Sequence, residues 1–204
     1  MASVPGTLSK TNNISGVVLA GGANKRFGGK IKSNAIIGGE KIIDRIINTI
    51  SGIFDEIIIV TNNPGEFKQY SEYKITGDHF IGTGPLGGIH SAMKSSSCDA
   101  VFIFAGDMPF LSMDLIKNQI DIFRFSLSEA LVPVTGSKME PLHGIYRISI
   151  SEKLERYRSE KNEFAVRNFL EQVDVSFFNP GDSEEVLKAF ININSQSDAG
   201  RVNR

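Results

Sequence analysis

Gly16-Val-Val-Leu-Ala-Gly-Gly-Ala-Asn-Lys-Arg-Phe-Gly-Gly29 carries an apolar strand pattern straight into a glycine-rich loop, with Lys30 and Lys32 just beyond it. Gly16 to Ala20 reads as a buried strand, and the glycines begin where that strand breaks. Backbone that must pass close to a ligand needs residues without Cβ. Gly21, Gly22, Gly28 and Gly29 meet that need and leave N–H groups free for phosphate oxygens. Arg26 and Lys32 add mobile positive charge, so the segment suits a polyphosphate.

Two better-known phosphate loops do not account for it. A Walker A loop ending at Gly29-Lys30 would need glycine where Asn24 stands and a hydroxyl where Ile31 stands. The dinucleotide pattern G-x-G-x-x-G occurs instead at Gly82-Thr-Gly-Pro-Leu-Gly87, with Asp107 beyond it, and would make the chain a nicotinamide oxidoreductase. That pattern should follow an apolar strand, yet the preceding segment carries Gly77, Asp78 and His79, and Pro85 occupies the turn.

The 204 residues, 41% hydrophobic and 22% charged, suit one soluble globular domain. Residues 1–13 read as a loose polar tail and 14–204 as the domain. A net charge of -1 lacks the positive field on which nucleic-acid and membrane-surface binding rely. No apolar run approaches a bilayer span and the first 13 residues lack the apolar centre of a signal peptide, so a cytoplasmic protein is expected. The single cysteine, Cys98, offers neither an internal disulfide nor a zinc site and reads as a small, partly buried thiol.

Outward from the glycine loop, strands and helices alternate. Isoleucines 42, 43, 46, 47 and 50 stripe one face of a helix over Lys41 to Ile53. Ile57 to Val60 is an all-apolar strand ended by the turn chemistry of Thr61 to Gly65. A helix over Leu86 to Lys94, a strand over Val101 to Phe104, a helix over Met113 to Phe125 and a strand over Ala130 to Val134 follow. This predicts an α/β fold, a three-layer arrangement with a mainly parallel sheet and helices on both faces. The last third reads as a strand over Leu142 to Tyr146, helices over Ser151 to Tyr157 and Glu163 to Gln172, a strand over Val175 to Phe178 and a helix over Ser183 to Phe190, with an antiparallel strand completing the sheet.

Ligands of such sheets bind beyond the carboxyl ends of the strands. The glycine loop, Thr61 to Asn63 and Asp107 each follow an apolar run and should share one crevice. Asp107 there suits a magnesium ion shared with phosphate oxygens; a helix cap near Ser112 or a salt bridge to Arg or Lys is the structural alternative. Gly82 to Gly88 leads into a helix whose N-terminus favours an anion, or is a plain turn. Asp78 is placed to accept hydrogen bonds from guanine or ribose, or is a solvated loop residue. His143 is a candidate base or phosphate donor, though a lone histidine is more often structural. No Ser-His-Asp or Cys-His set assembles, which disfavours covalent catalysis.

These motifs resemble those of the molybdenum cofactor guanylyltransferases, within the Rossmann-like nucleotidyltransferases. The resemblance runs from about Ile14 to Asp198. Leu19-Ala-Gly-Gly22 through Arg26-Phe-Gly-Gly29 and Lys32 is similar to the signature LAGGxxxRMGGxDK, Gly84 to Gly88 to GPLAG, Gly106 to Phe110 to CDTPF, Pro141 to His143 to PLHA, and Phe190 to Asn194 to FxNINTP. The resemblance implies transfer of GMP from GTP to the phosphate of molybdopterin or its molybdenum form, releasing pyrophosphate. A cytidylyl transferase acting on molybdopterin and a nucleotidyl transferase acting on a sugar phosphate are the sibling alternatives; a nucleotide sensor without turnover is the noncatalytic one. It further implies that Leu19, Ala20, Gly21, Gly22, Lys32, Thr61 or Asn62, Asp78 and Asp107 hold the nucleotide. Arg26, Lys32 and Asp107 would carry catalysis and Asp107 the Mg2+. Gly84, Pro85, Asn192 and Asn194 would meet the pterin. Transient contact with other proteins of cofactor assembly is implied as well. Ile31, Gly106 and Gln196-Ser197 depart from the signatures, where the family has Asp, Cys and Thr-Pro.

Overall fold

The computed structural model describes residues 13–21, 31–80, 82–161, 164–195 and 198. The expected tail, but for Asn13, and the loop residues Gly22 to Lys30 lie outside the described residues.

Among the described residues ten strands form in chain order: β1 (Ile14–Leu19), β2 (Ile36–Ile37), β3 (Glu40–Lys41), β4 (Ile57–Val60), β5 (Lys74–Thr76), β6 (Ala100–Ala105), β7 (Ala130–Thr135), β8 (Lys138–Met139), β9 (Ile145–Arg147) and β10 (Val175–Phe178). The helices are α1 (Ile42–Ile50), α2 (Gly84–Ser95), α3 (Met113–Phe125), α4 (Ser151–Glu160), α5 (Val166–Leu170) and α6 (Glu184–Ala189). The main sheet runs β10-β7-β9-β6-β1-β4-β5, with β8 paired to β7. Neighbours β6, β1, β4 and β5 are parallel, as are β7 and β10, while β9 lies antiparallel to both β6 and β7.

Strand alternation divides the core. Val18, Ile59, Phe102 and Phe104 face α1 and α3, meeting the isoleucine stripe of α1 together with Ile116, Ile120 and Phe123. Val17, Ile58, Val60, Val101 and Ile103 face the other way, against Leu86, Ile89 and Met93 of α2, Leu154 and Tyr157 of α4 and Phe169 of α5. Both faces of the central strands are dry, which is why they read as unbroken apolar runs.

From β1 the chain steps outward through β4 to β5, then returns to place β6 on the other side of β1. The carboxyl ends of β1 and β6 therefore flank the point where strand order reverses, and a crevice opens there. Leu19 pairs with Ala105 at that end, so Ala20-Gly21 and Gly106-Asp107 leave the sheet side by side.

Three sequence expectations need correction. Leu142 to Tyr146 is not one strand: Pro141–His143 forms a 3-10 turn, because Pro141 brings no N–H and starts a turn, and pairing begins at Ile145. The helix expected over Glu163 to Gln172 is described only from Val166 to Leu170, because Ala165 is extended and precedes its first turn. The first helix is shorter than Lys41 to Ile53, since Lys41 pairs in the small β2–β3 hairpin. Among the described residues no helix is long and apolar enough to cross a membrane.

Candidate active site

The crevice beyond β1, β4 and β6 has a volume of about 480 Å3 and is lined by Leu19, Ala20 and Gly21 from β1, Asn62 and Asn63 after β4, Asp78 after β5, Gly82, Gly84 and Pro85 at the start of α2, and Asp107 after β6, with Lys32 at its side. Segments far apart in sequence converge there. A second depression, of about 470 Å3 along β10, contains none of these residues.

Asp107 owes its place to a close backbone approach. Gly106 N–H donates to Leu19 O at 3.0 Å, and a Cβ on Gly106 would come within 2.6 Å of that same oxygen. Without a Cβ at Gly106, β1 and β6 run this close at their ends. Ser112 caps α3 by accepting from Leu115 N–H, so the capping alternative for Asp107 is taken by another residue. Its carboxylate instead meets Lys32 Nζ at 3.1 Å, the salt-bridge alternative. Lys32 Nζ also donates to Asn194 Oδ1 at 2.9 Å, while Ile193 N–H donates to Asp107 O at 2.8 Å. The Phe190 to Asn194 segment thus folds back over the strand end and contributes one side chain to the charged cluster.

Across the crevice, Asn62 and Asp78 form a reciprocal pair. Asn62 Nδ2 donates to Asp78 Oδ2 and Asp78 N–H donates to Asn62 Oδ1, both at 2.8 Å. Of Thr61 and Asn62, which follow β4, only Asn62 lines the crevice. The Thr61 side chain is buried and its hydroxyl accepts from Asn63 N–H, so it does not line the crevice; Asn62 does.

Most sequence-derived candidates therefore share one cavity. Thr61, Asn192 and Asn194 do not line it; Asn194 reaches it only through Lys32, and the Asn192 side chain donates to Phe190 O within its own loop. Arg26 and Gly22 lie outside the described residues. His143 is fully buried, its ring among Phe102, Phe104 and Phe190 and its Nδ1 beside Gln119 Oε1 at 3.2 Å. Burial pushes its pKa down to about 4, and it stands in the core rather than the crevice. Sequence reasoning missed Ser33, which lines the crevice with a buried hydroxyl that has no hydrogen-bond partner among the described residues. Its position directly after Lys32 was the available signal.

The dinucleotide reading of Gly82 to Gly87 fails on structure as well. The strand before it, β5, is a three-residue edge strand rather than one beside the reversal point. Gly82 and Gly84 adopt positive φ of 83° and 59° to turn the chain into α2, whose first turn borders the crevice.

The arrangement presents a cation, a carboxylate, a helix N-terminus and an amide–carboxylate pair around one cavity. The MobA-like NTP transferase domain matches residues 16–176. A probable molybdenum cofactor guanylyltransferase of Natranaerobius thermophilus is 34% identical over 199 residues, covering 92% of this chain and 94% of that one. The molybdenum cofactor guanylyltransferase of Desulfosudis oleivorans is 33% identical over 191 residues, with 86% and 94% covered. The crystal structure of molybdopterin-guanine dinucleotide biosynthesis protein A from Archaeoglobus fulgidus superposes with a TM-score of 0.78 over 93% of this chain and 96% of that one, at 24% identity, and shows the same fold. The chain belongs to the MobA-like NTP transferases, the family of the molybdenum cofactor guanylyltransferases, and is a nucleotidyltransferase.

Proposed function

We propose that the crevice binds GTP and transfers its GMP moiety to the terminal phosphate of molybdopterin or its molybdenum-loaded form. A phosphate oxygen of the pterin forms a bond to the α-phosphorus, the bridge to the β-phosphorus breaks, and pyrophosphate leaves. The observation that carries this reading is Lys32, whose ammonium is held by Asp107 and Asn194 at the rim of a cavity whose far side bears the Asn62–Asp78 pair.

The attacking phosphate is already largely ionised near neutral pH, so the barrier lies in charge repulsion and alignment rather than in proton removal. That accords with a buried, neutral His143 and a crevice of cations and N–H groups. Lys32, with Arg26 of the glycine loop, offsets charge gathering on the departing pyrophosphate. Asp78, with acceptor oxygens only, suits the N–H groups of guanine, and Ser33 offers a hydroxyl to a nucleotide oxygen. Gly84 and Pro85 border the space left for the pterin, and Asn194 connects that side to Lys32.

Asp107 fits magnesium. Among the described residues no cluster of three or more His, Cys, Asp or Glu forms a protein cage, and magnesium is commonly held by one or two carboxylates with substrate phosphates completing its shell. When bound, it would neutralise phosphate charge. Exchange of molybdenum or of the product implies transient contact with other proteins of cofactor assembly, in the cytoplasm.

Thermal-shift measurements with GTP, CTP and UTP plus magnesium test base choice. GTP is expected to give the largest rise; a larger rise with CTP would reassign the substrate to the cytidylyl sibling.

A further inference from the structure

The loop that carries Asp78 is held on the crevice side by Asn62 and from behind by Ser91, His90 and Arg158, which take no part in lining the crevice. Three successive residues are attached to the surrounding elements. Asp78 N–H donates to Asn62 beyond β4. His79 N–H donates to Ser91 Oγ of α2 at 2.7 Å. The Phe80 ring meets two side chains: the Arg158 guanidinium of α4, 3.6 Å from its centroid, and the His90 imidazole of α2, 4.5 Å away at 34°.

Each of those side chains is fixed in turn. His90 is buried, and its Nε2 lies 2.8 Å from Glu155 Oε1 of α4. Glu155 also accepts from Lys94 Nζ at 2.8 Å, which ties α2 to α4 behind the loop. Lys94 and then His90 hold the Glu155 carboxyl down at about 2, so it stays charged across the working range. Among the described residues Arg158 Nε is buried with no hydrogen-bond partner, and its guanidinium lies over the Phe80 ring. A greasy contact would serve if this junction only filled space; a guanidinium on a ring adds direction.

We propose that the Arg158–Phe80–His90 stack is a positioning device for base recognition. It fixes the loop so that Asp78 meets the base edge at hydrogen-bonding distance, and Arg158 and Phe80 are positioning residues rather than catalytic ones. This rests on the reading of Asp78 as the residue that accepts from guanine. A loop residue outside regular structure holds such a carboxylate to a fraction of an ångström only through its anchors.

The test is the equilibrium binding of GTP and ATP, each with magnesium, to wild type, Phe80→Ala, Arg158→Ala and Phe80→Tyr, with thermal melts confirming the fold. Wild type is expected to prefer GTP. Phe80→Ala and Arg158→Ala are expected to lose roughly five- to tenfold of that preference, by weakening GTP rather than ATP. Phe80→Tyr, which keeps the stack, is expected to retain it. If both alanine variants keep the wild-type preference, or lose GTP and ATP equally, the positioning role is overturned. If wild type itself shows no preference for GTP, the guanine reading of the crevice fails, and the proposal with it. If Phe80→Ala fails to fold, Arg158→Ala, at a half-buried position, decides alone.

Discussion

Lys32 Nζ stands 3.1 Å from Asp107 Oδ2, joining a turn after the glycine loop to the end of β6 across 75 residues of sequence. The two side chains keep 26% and 20% of their surface exposed, so the pair itself adds at most about 1 kcal/mol to stability. Its placement serves the crevice more than the fold. Lys32→Ala and Asp107→Asn should therefore melt within a few degrees of wild type yet lose turnover by roughly 10²–10³-fold. Thermal melts beside a pyrophosphate-release assay check both halves.

Asn62→Ala removes both hydrogen bonds that hold Asp78. At about 1 kcal/mol for a typical bond, GTP affinity should fall roughly tenfold, while CTP binding should change little. Isothermal titration with the two nucleotides reads the difference, and equal losses would show that Asn62 does not act through the base edge.

Gly106→Ala puts a Cβ 2.6 Å from Leu19 O, a backbone atom that cannot swing aside. The ends of β1 and β6 must part. The expected cost is about 1–3 kcal/mol, lowering Tm by roughly 3–10 °C. Turnover should fall as well, because Asp107 is the next residue. An unchanged Tm would mean that the strand ends part without cost.

His143 supplies a pH signature. Burial lowers its pKa from the ordinary 6.5 to about 4, so between those values the unfolded chain binds more protons than the folded one. Stability therefore falls as pH drops from 6.5 towards 4, by about 3 kcal/mol at the limit, and this residue contributes no such loss above that window. Urea midpoints across the range should show the slope in wild type and a flatter one in His143→Gln.

The alternation of buried strands and helices was legible because burial on both faces writes itself as unbroken apolar runs, as at Ile57 to Val60. Of the crevice lining, Lys32 and Asp107 were legible because they follow the glycine loop and an apolar run, and Asp78 because it precedes the glycine turn that leads into a helix. What local pattern does not encode is which distant side chain closes on another. Asn194 reaches Lys32 across 162 residues, Arg158 lies on a helix whose sequence reads as an ordinary polar face, and His143 sits inside the core behind a 3-10 turn. Thr61 and Asn62 differed by one residue, and only the structure shows one buried and the other lining the crevice.

Guanylyl transfer measured with GTP labelled at the α-phosphate, molybdopterin and magnesium tests the account most directly. It predicts that label moves into the pterin dinucleotide with stoichiometric release of pyrophosphate, in wild type but not in Asp107→Asn. Release of labelled GDP, or transfer that proceeds undiminished in Asp107→Asn, would contradict it.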